Sequence, residues 1–98
     1  MTVQIHAPFE VNPGLQELIT KKINKLKTFH DRIVGVDVFL KLEGPKSLDG
    51  KIVEMNMYLP GPDVFAKEMS TSYEKAIAAT AEKLERQLKK RKAKLRAA

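Results

Sequence analysis

Residues 36–42, Val-Asp-Val-Phe-Leu-Lys-Leu, place an apolar side chain at every second position. Successive side chains of a strand point to opposite faces, so Val36, Val38, Leu40 and Leu42 share one face. Asp37, Phe39, Lys41 and Glu43 share the other. The pattern predicts a strand with one buried face, and such a face needs other elements to cover it.

Reading outward from this strand fixes the rest. Toward the C-terminus, Gly44-Pro45 through Asp49-Gly50 reads as a loop with turn chemistry at both ends. Val53, Met55, Met57 and Leu59 then alternate with Glu54, Asn56 and Tyr58, which predicts a second one-sided strand. Pro60-Gly61-Pro62-Asp63 is a tight connection. Residues 64–69 follow as another strand, and either Val64 or Phe65 could be its inward residue. Toward the N-terminus, Leu15, Leu18, Ile19, Ile23 and Leu26 recur at helical spacing up to about residue 28. Asn12-Pro13 opens this helix: the Asn side chain accepts from an early N–H, and Pro at the first position loses no hydrogen bond. Val3 and Ile5 alternate with Thr2, Gln4 and His6 as a short first strand, ended by Pro8.

After the last strand, Thr71-Ser72-Tyr73-Glu74 fits a capping box, with Thr71 capping an early N–H and Glu74 reaching back. Ala, Leu, Lys, Glu, Arg and Gln then dominate to about residue 95 with no Gly or Pro, a composition of strong helix propensity. The order is β-α-β-β-β-α. The expected fold is α+β, a four-stranded sheet with two helices packed together on one face. It forms one domain over residues 1–95, with a frayed end at 96–98.

The 98-residue chain has no Cys, so it has neither disulfides nor thiolate metal ligands. No apolar run is long enough to span a membrane, and the alternating first residues do not make a signal peptide. The reading is of a cytoplasmic chain. The net charge of +6 is uneven: residues 1–70 carry nine basic and nine acidic residues, residues 71–98 nine basic and three acidic. Such asymmetry points to an anionic partner, nucleic acid or an anionic membrane.

On the last helix Tyr73, Ile77, Thr80, Ala81, Leu84, Leu88 and Leu95 form the core stripe. With Ile77 at zero, Lys83, Arg86, Lys90 and Lys94 fall at ~180–260° on the wheel, with no acid in that sector. Glu74, Glu82 and Glu85 fall on the other flank, within reach of Lys75, Lys89 and Lys92. Cations at a helix C-terminus also favour the macrodipole, which accounts for a basic last turn but not for Lys83 and Arg86 two turns earlier. On the first helix Lys21, Lys22 and Lys25 sit on one flank of the apolar stripe, with Glu17 the only nearby acid. Lys22 either snorkels over the core or carries its ammonium to a phosphate. Seven cations, Lys21, Lys22, Lys25, Lys83, Arg86, Lys90 and Lys94, are therefore candidate RNA-binding residues on a single positive surface. If all met phosphates, affinity would fall by roughly three decades between 50 and 200 mM salt. With no Trp and only six aromatic residues, no stacking platform for single strands is expected. Folded RNA, read by backbone and shape, fits better.

Several ordered segments carry a family likeness: Lys22-x-x-Lys25-Leu26, Asp31-Arg32-Ile33, Tyr73-x-x-Ala76-Ile77 and Lys83-Leu84-Glu85-Arg86-Gln87-Leu88-x-Lys90. Over nearly its whole length the chain resembles the ribosome hibernation promoting factors, also called ribosome-associated translation inhibitors or ribosomal subunit interface proteins. The resemblance implies a β-α-β-β-β-α fold akin to a double-stranded-RNA-binding domain with an extra first strand. It implies binding to the small ribosomal subunit, against 16S rRNA in the mRNA and tRNA channel at the A and P sites. It also implies translation inhibition by steric occlusion when growth stops. Lys22, Lys25, Lys83, Arg86 and Lys90 match the family's basic positions, and Lys94 matches more weakly. Two positions depart: the family usually has Asp where this chain has Thr71 and Ala78. The short chain resembles the family members without a further ribosome-pairing domain.

Other classes fit less well. His6 and His30 lie in no metal-ligand spacing and the Gly residues form no phosphate loop, so no enzyme, cofactor, metal or small-molecule substrate is expected. The alternative function is a general structured-RNA-binding module. Lys89-Lys90-Arg91-Lys92-Ala93-Lys94 resembles a cluster of double-stranded-RNA-binding domains, but there it opens the last helix and here it closes one. A membrane-surface helix would need its apolar face free, and the apolar positions do not keep a coiled-coil period. The chain is expected to be monomeric when free.

Overall fold

The computed structural model describes residues 1–42 and 50–97, with residues 93–97 by backbone alone. The elements follow the expected order: β1 (Thr2–His6), α1 (Pro13–Leu26), β2 (Gly35–Leu42), β3 (Lys51–Tyr58), β4 (Val64–Ser70) and α2 (Tyr73–Ala97). The loop expected from Gly44 to Asp49 lies outside the described residues.

The strands form one sheet in the order β1-β2-β3-β4. β1 runs parallel to β2, as a strand returning through a helix can, and β2, β3 and β4 are successively antiparallel. The register aligns alternate apolar residues of every strand on one face; Leu42, expected on the buried face, is 52% exposed at the end of β2. Val3 pairs with Val36 and Ile5 with Val38; Val38 pairs with Met55 and Met55 with Ala66. Ile19, Ile23 and Leu26 of α1 and Ile77, Leu84 and Leu88 of α2 cover that face, and all six are at most 1% exposed. Each such side chain contributes about 1.5–3 kcal/mol on leaving water.

The inward residue of β4 is Val64. It pairs with Met57, and Ala66 pairs with Met55, so both share the inward face of those methionines. Ala66 is buried and Val64 packs on the core, whereas Phe65, opposite Asn56, is 50% exposed on the other face. In the connection before β4, Gly61 has φ +85°, a conformation that L side chains rarely adopt. The Asp63 carboxylate accepts from the Leu59 N–H at 3.2 Å and holds the turn.

The helix starts differ in how well they follow expectation. Asn12 caps α1, its Oδ1 accepting from the Leu15 N–H at 2.8 Å with Pro13 next in line. At α2 the cap is Ser72, not Thr71. The Ser72 Oγ accepts from the Lys75 N–H at 3.2 Å and its carbonyl from the Ala76 N–H at 3.1 Å. The helix therefore begins one residue later than the capping-box reading placed it. Tyr73 then sits buried, its hydroxyl donating to the Lys41 carbonyl at 3.0 Å, and burial raises its pKa above the usual tyrosine value. Thr80 is the buried polar residue of α2; its hydroxyl donates to the Ala76 carbonyl at 2.7 Å.

Candidate nucleic-acid interface

The two helices lie side by side and enclose a groove of about 270 Å³. Lys22, Lys25 and Leu26 form its α1 wall, and Ala78, Ala81, Glu82 and Glu85 its α2 wall. Lys22 is half-buried here, in a lining it shares with Leu26, Ala78 and Ala81. The Lys25 Nζ lies 3.8 Å from Glu85, and Lys89 lies 3.3 Å from the same carboxylate one helical turn on. Of the acid–base pairs expected along that flank of α2, Lys89–Glu85 forms among the described residues.

The expected single wall of seven cations is divided among several places. Lys22 and Lys25 come together in the groove. Lys21 lies on a different side of α1, beside Gln16, Glu17 and Thr20. Arg86 and Lys90 are exposed on α2, and neither has a carboxylate within 4.0 Å among the described residues. Lys83 departs most from expectation. Its Nζ lies 2.8 Å from Glu68 and donates to the Lys67 carbonyl at 3.2 Å, both on β4. The helical wheel shows no acid in this sector because the partner comes from the sheet. The side chain of Lys94 lies outside the described residues.

Lys83 belongs to a row of side chains that runs along the free edge of β4. Gln87 donates to the Phe65 carbonyl at 2.8 Å, and Arg91 donates to the carbonyls of Pro60, at 2.9 Å, and Pro62. Four helical residues rise ~6 Å and two strand residues ~6.6 Å, so positions 83, 87 and 91 keep step with carbonyls 67, 65 and the turn. Unpaired strand edges invite foreign strands, and this row occupies one. Part of the cationic flank of α2 is thus spent on the fold.

The uncovered face of the sheet holds groups the sequence reading passed over. His6 stacks on Phe39, with ring centroids 4.7 Å apart. Lys41 lies 5.6 Å from the Phe39 centroid and 2.8 Å from Glu54. The Asp37 carboxylate accepts from the Tyr58 hydroxyl at 2.6 Å and contacts the His6 Nε2 at 3.2 Å. The Tyr58 hydrogen bond, then that of His6, holds the Asp37 pKa below its usual value, and the same carboxylate raises that of Tyr58. Phe39, Tyr58 and Phe65 all lie on this face. The polar-side positions of the alternating strands were the signal for it. His6 and Lys41 cover Phe39 and Asp37 engages Tyr58, which leaves Phe65 as the open ring.

Among the described residues no group of three or more His, Asp or Glu side chains is arranged to hold a metal ion, and no helix is long and apolar enough to cross a membrane.

Residues 3–96 match the sequence profile of the family described as Sigma 54 modulation protein / S30EA ribosomal protein. The chain belongs to this family. A ribosome hibernation promoting factor of Klebsiella oxytoca is 33% identical over 87 residues, covering 89% of this chain and 87% of the relative. One of Pseudomonas putida is 36% identical over 85 residues, covering 87% of this chain and 79% of the relative. A ribosomal subunit interface protein of Coxiella burnetii superposes with a TM-score of 0.84 at 31% identity, covering 95% of this chain and 99% of that one. The N-terminal domain of Thermus thermophilus Protein Y gives 0.76 at 25% identity, covering 91% and 93%. Of the two positions where this S30EA family member departs from the expected Asp, Thr71 is exposed and outside the α2 cap. Ala78 lines the helix–helix groove beside Lys22 and Lys25.

Proposed function

We propose that the chain binds the small ribosomal subunit through 16S rRNA, in the channel that mRNA and tRNA use at the A and P sites. There it inhibits translation by occupying that space. The observation that carries this reading is the pair Arg86 and Lys90, exposed on α2 with no carboxylate partner among the described residues, on a helix whose segment holds the whole net charge. The relatives' names support the ribosome as the partner. Lys22 and Lys25 add contacts from the groove, Lys94 from the end of α2 and Lys21 from the outer flank of α1. Lys83, held by Glu68, and Lys25, beside Glu85, contribute least. No bond is made or broken: occlusion is held in place by charge, in the cytoplasm, on the ribosome.

Sucrose-gradient sedimentation over a salt series tests the proposal. Co-migration with small subunits and whole ribosomes, lost at high salt, is expected. Four phosphate contacts from cations with no carboxylate within 4.0 Å among the described residues, Lys21, Lys22, Arg86 and Lys90, predict a fall of about two decades in affinity between 50 and 200 mM salt. The double variant Arg86→Glu, Lys90→Glu should keep its circular dichroism spectrum and lose inhibition of translation in vitro. Unchanged inhibition would sink the reading, and spread over all RNA-containing fractions would replace it with general structured-RNA binding.

A further inference from the structure

A second cleft, of about 430 Å³, opens where the turn after α1 meets the far part of α2. Lys27, Phe29, His30 and Asp31 line it from the turn, and Arg91 and Lys92 from α2. We propose that this cleft is a phosphate-binding site. It holds none of the cations assigned above to 16S rRNA, and it stands whether or not the chain binds ribosomes.

The charge of the lining is the first argument. Lys27, Arg91 and Lys92 converge on one concavity, and none has a carboxylate within 4.0 Å among the described residues. Three cations against one carboxylate leave the lining net positive, and such a concavity concentrates anions. Lys89 also lies beside the wall, its Nζ 5.0 Å from the Phe29 ring centroid, but it is paired with Glu85 and adds no net charge. Asp31 is the one acidic side chain of the lining.

Pre-organisation is the second. Arg91 is already fixed by the Pro60 and Pro62 carbonyls, so a ligand meeting its remaining N–H donors orders no free side chain. His30 is fixed too. Its Nδ1 accepts from the Arg32 N–H at 3.1 Å, so the neutral ring carries its proton on Nε2, as a donor. The Thr28 hydroxyl donates to the Lys25 carbonyl at 2.8 Å and so gives the cleft no donor. The side-chain donors of the lining are those of Lys27, His30, Arg91 and Lys92, which outnumber its one carboxylate and suit an acceptor-only group such as phosphate. The volume falls in the ~300–1,000 Å³ range of ligand clefts. Two sources share this chemistry: the phosphodiester of an RNA strand and the phosphates of a free nucleotide.

The test is a titration of the full chain with inorganic pyrophosphate at matched ionic strength, followed by NMR shifts of the amides of residues 28–31 and the His30 ring. Saturable, localised shifts are expected, and the double variant Lys27→Gln, Lys92→Gln should bind about tenfold more weakly. Both positions are exposed, so the variant should keep its dichroism spectrum. Shifts that track ionic strength alone, or that survive the substitutions, overturn the proposal. The same variant separates the sources. With RNA as the source, its salt slope for small-subunit binding falls by about 2. A saturable pyrophosphate response with an unchanged slope assigns the site to a free phosphate compound. Failure to sediment with ribosomes at all leaves the pyrophosphate result standing by itself.

Discussion

The Lys83 ammonium lies 2.8 Å from the Glu68 carboxylate, a pairing between the middle of α2 and the edge strand β4. Both groups are partly exposed, so the pair is worth under about 1 kcal/mol to stability. Its larger effect is on availability, because an ammonium with a carboxylate partner releases fewer counter-ions when it meets RNA. Lys83→Gln should leave the salt slope of small-subunit binding unchanged, Arg86→Gln should lower it by about 1, and Glu68→Gln should raise it by about 1. Equal losses from Lys83→Gln and Arg86→Gln would show that Lys83 leaves Glu68 to bind.

The cap of α2 gives a second prediction. Ser72 Oγ accepts the Lys75 N–H, and Thr71 is exposed just before it. Ser72→Ala should cost about 1 kcal/mol in urea unfolding, and Thr71→Ala should be nearly neutral. The reverse ranking would restore the box built on Thr71 and Glu74.

These two sites mark where sequence stops being enough. Strand and helix periods were legible because each element has one buried face, so Val36 to Leu40 and Leu15 to Leu26 record their surroundings in their own spacing, while Leu42 keeps the period past the end of the cover and is exposed. Even the choice between Val64 and Phe65 in β4 needed the register with Met55 and Met57. The cap missed by one residue because Thr71 and Ser72 both carry hydroxyls, and only the path of the chain out of β4 separates them. Lys22 and Lys25 share one flank of α1 as read, but Lys21, read onto the same flank, lies on another side of the helix. Glu68 was invisible to that wheel: it lies far away in sequence, on a strand whose register was open. The cleft at Lys27 and Lys92 escaped for the same reason, being built from two distant segments.

The row along β4 yields a third prediction. Gln87 and Arg91 occupy carbonyls that would otherwise face water at a free edge. Gln87→Ala should cost about 0.5–1.5 kcal/mol, and Arg91→Ala about 1–2 kcal/mol because it satisfies two carbonyls with a charged donor. The double variant should also associate with itself at high concentration, as exposed edges do. Light scattering that stays monomeric, together with unchanged urea midpoints, would mean the row contributes nothing.

The last prediction concerns pH and the open sheet face. Asp37 sits between Tyr58 and His6, and those hydrogen bonds lower its pKa below 3.8. A carboxylate with a lowered folded pKa adds stability that is complete above 3.8 and is lost as pH falls through the folded value. Tyr58 works in the opposite direction. Its pKa is raised above 10.0, so its contribution is complete below 10.0 and is lost as pH rises through the folded value. The stability difference between the protein and Asp37→Asn should therefore hold steady near neutrality and shrink on the acid side of 3.8. The difference from Tyr58→Phe should shrink on the alkaline side of 10.0. Urea unfolding across both limits measures each curve. An Asp37→Asn difference that stays constant from about pH 6 to about pH 2.5 would show that the carboxylate gains nothing from its two neighbours on folding.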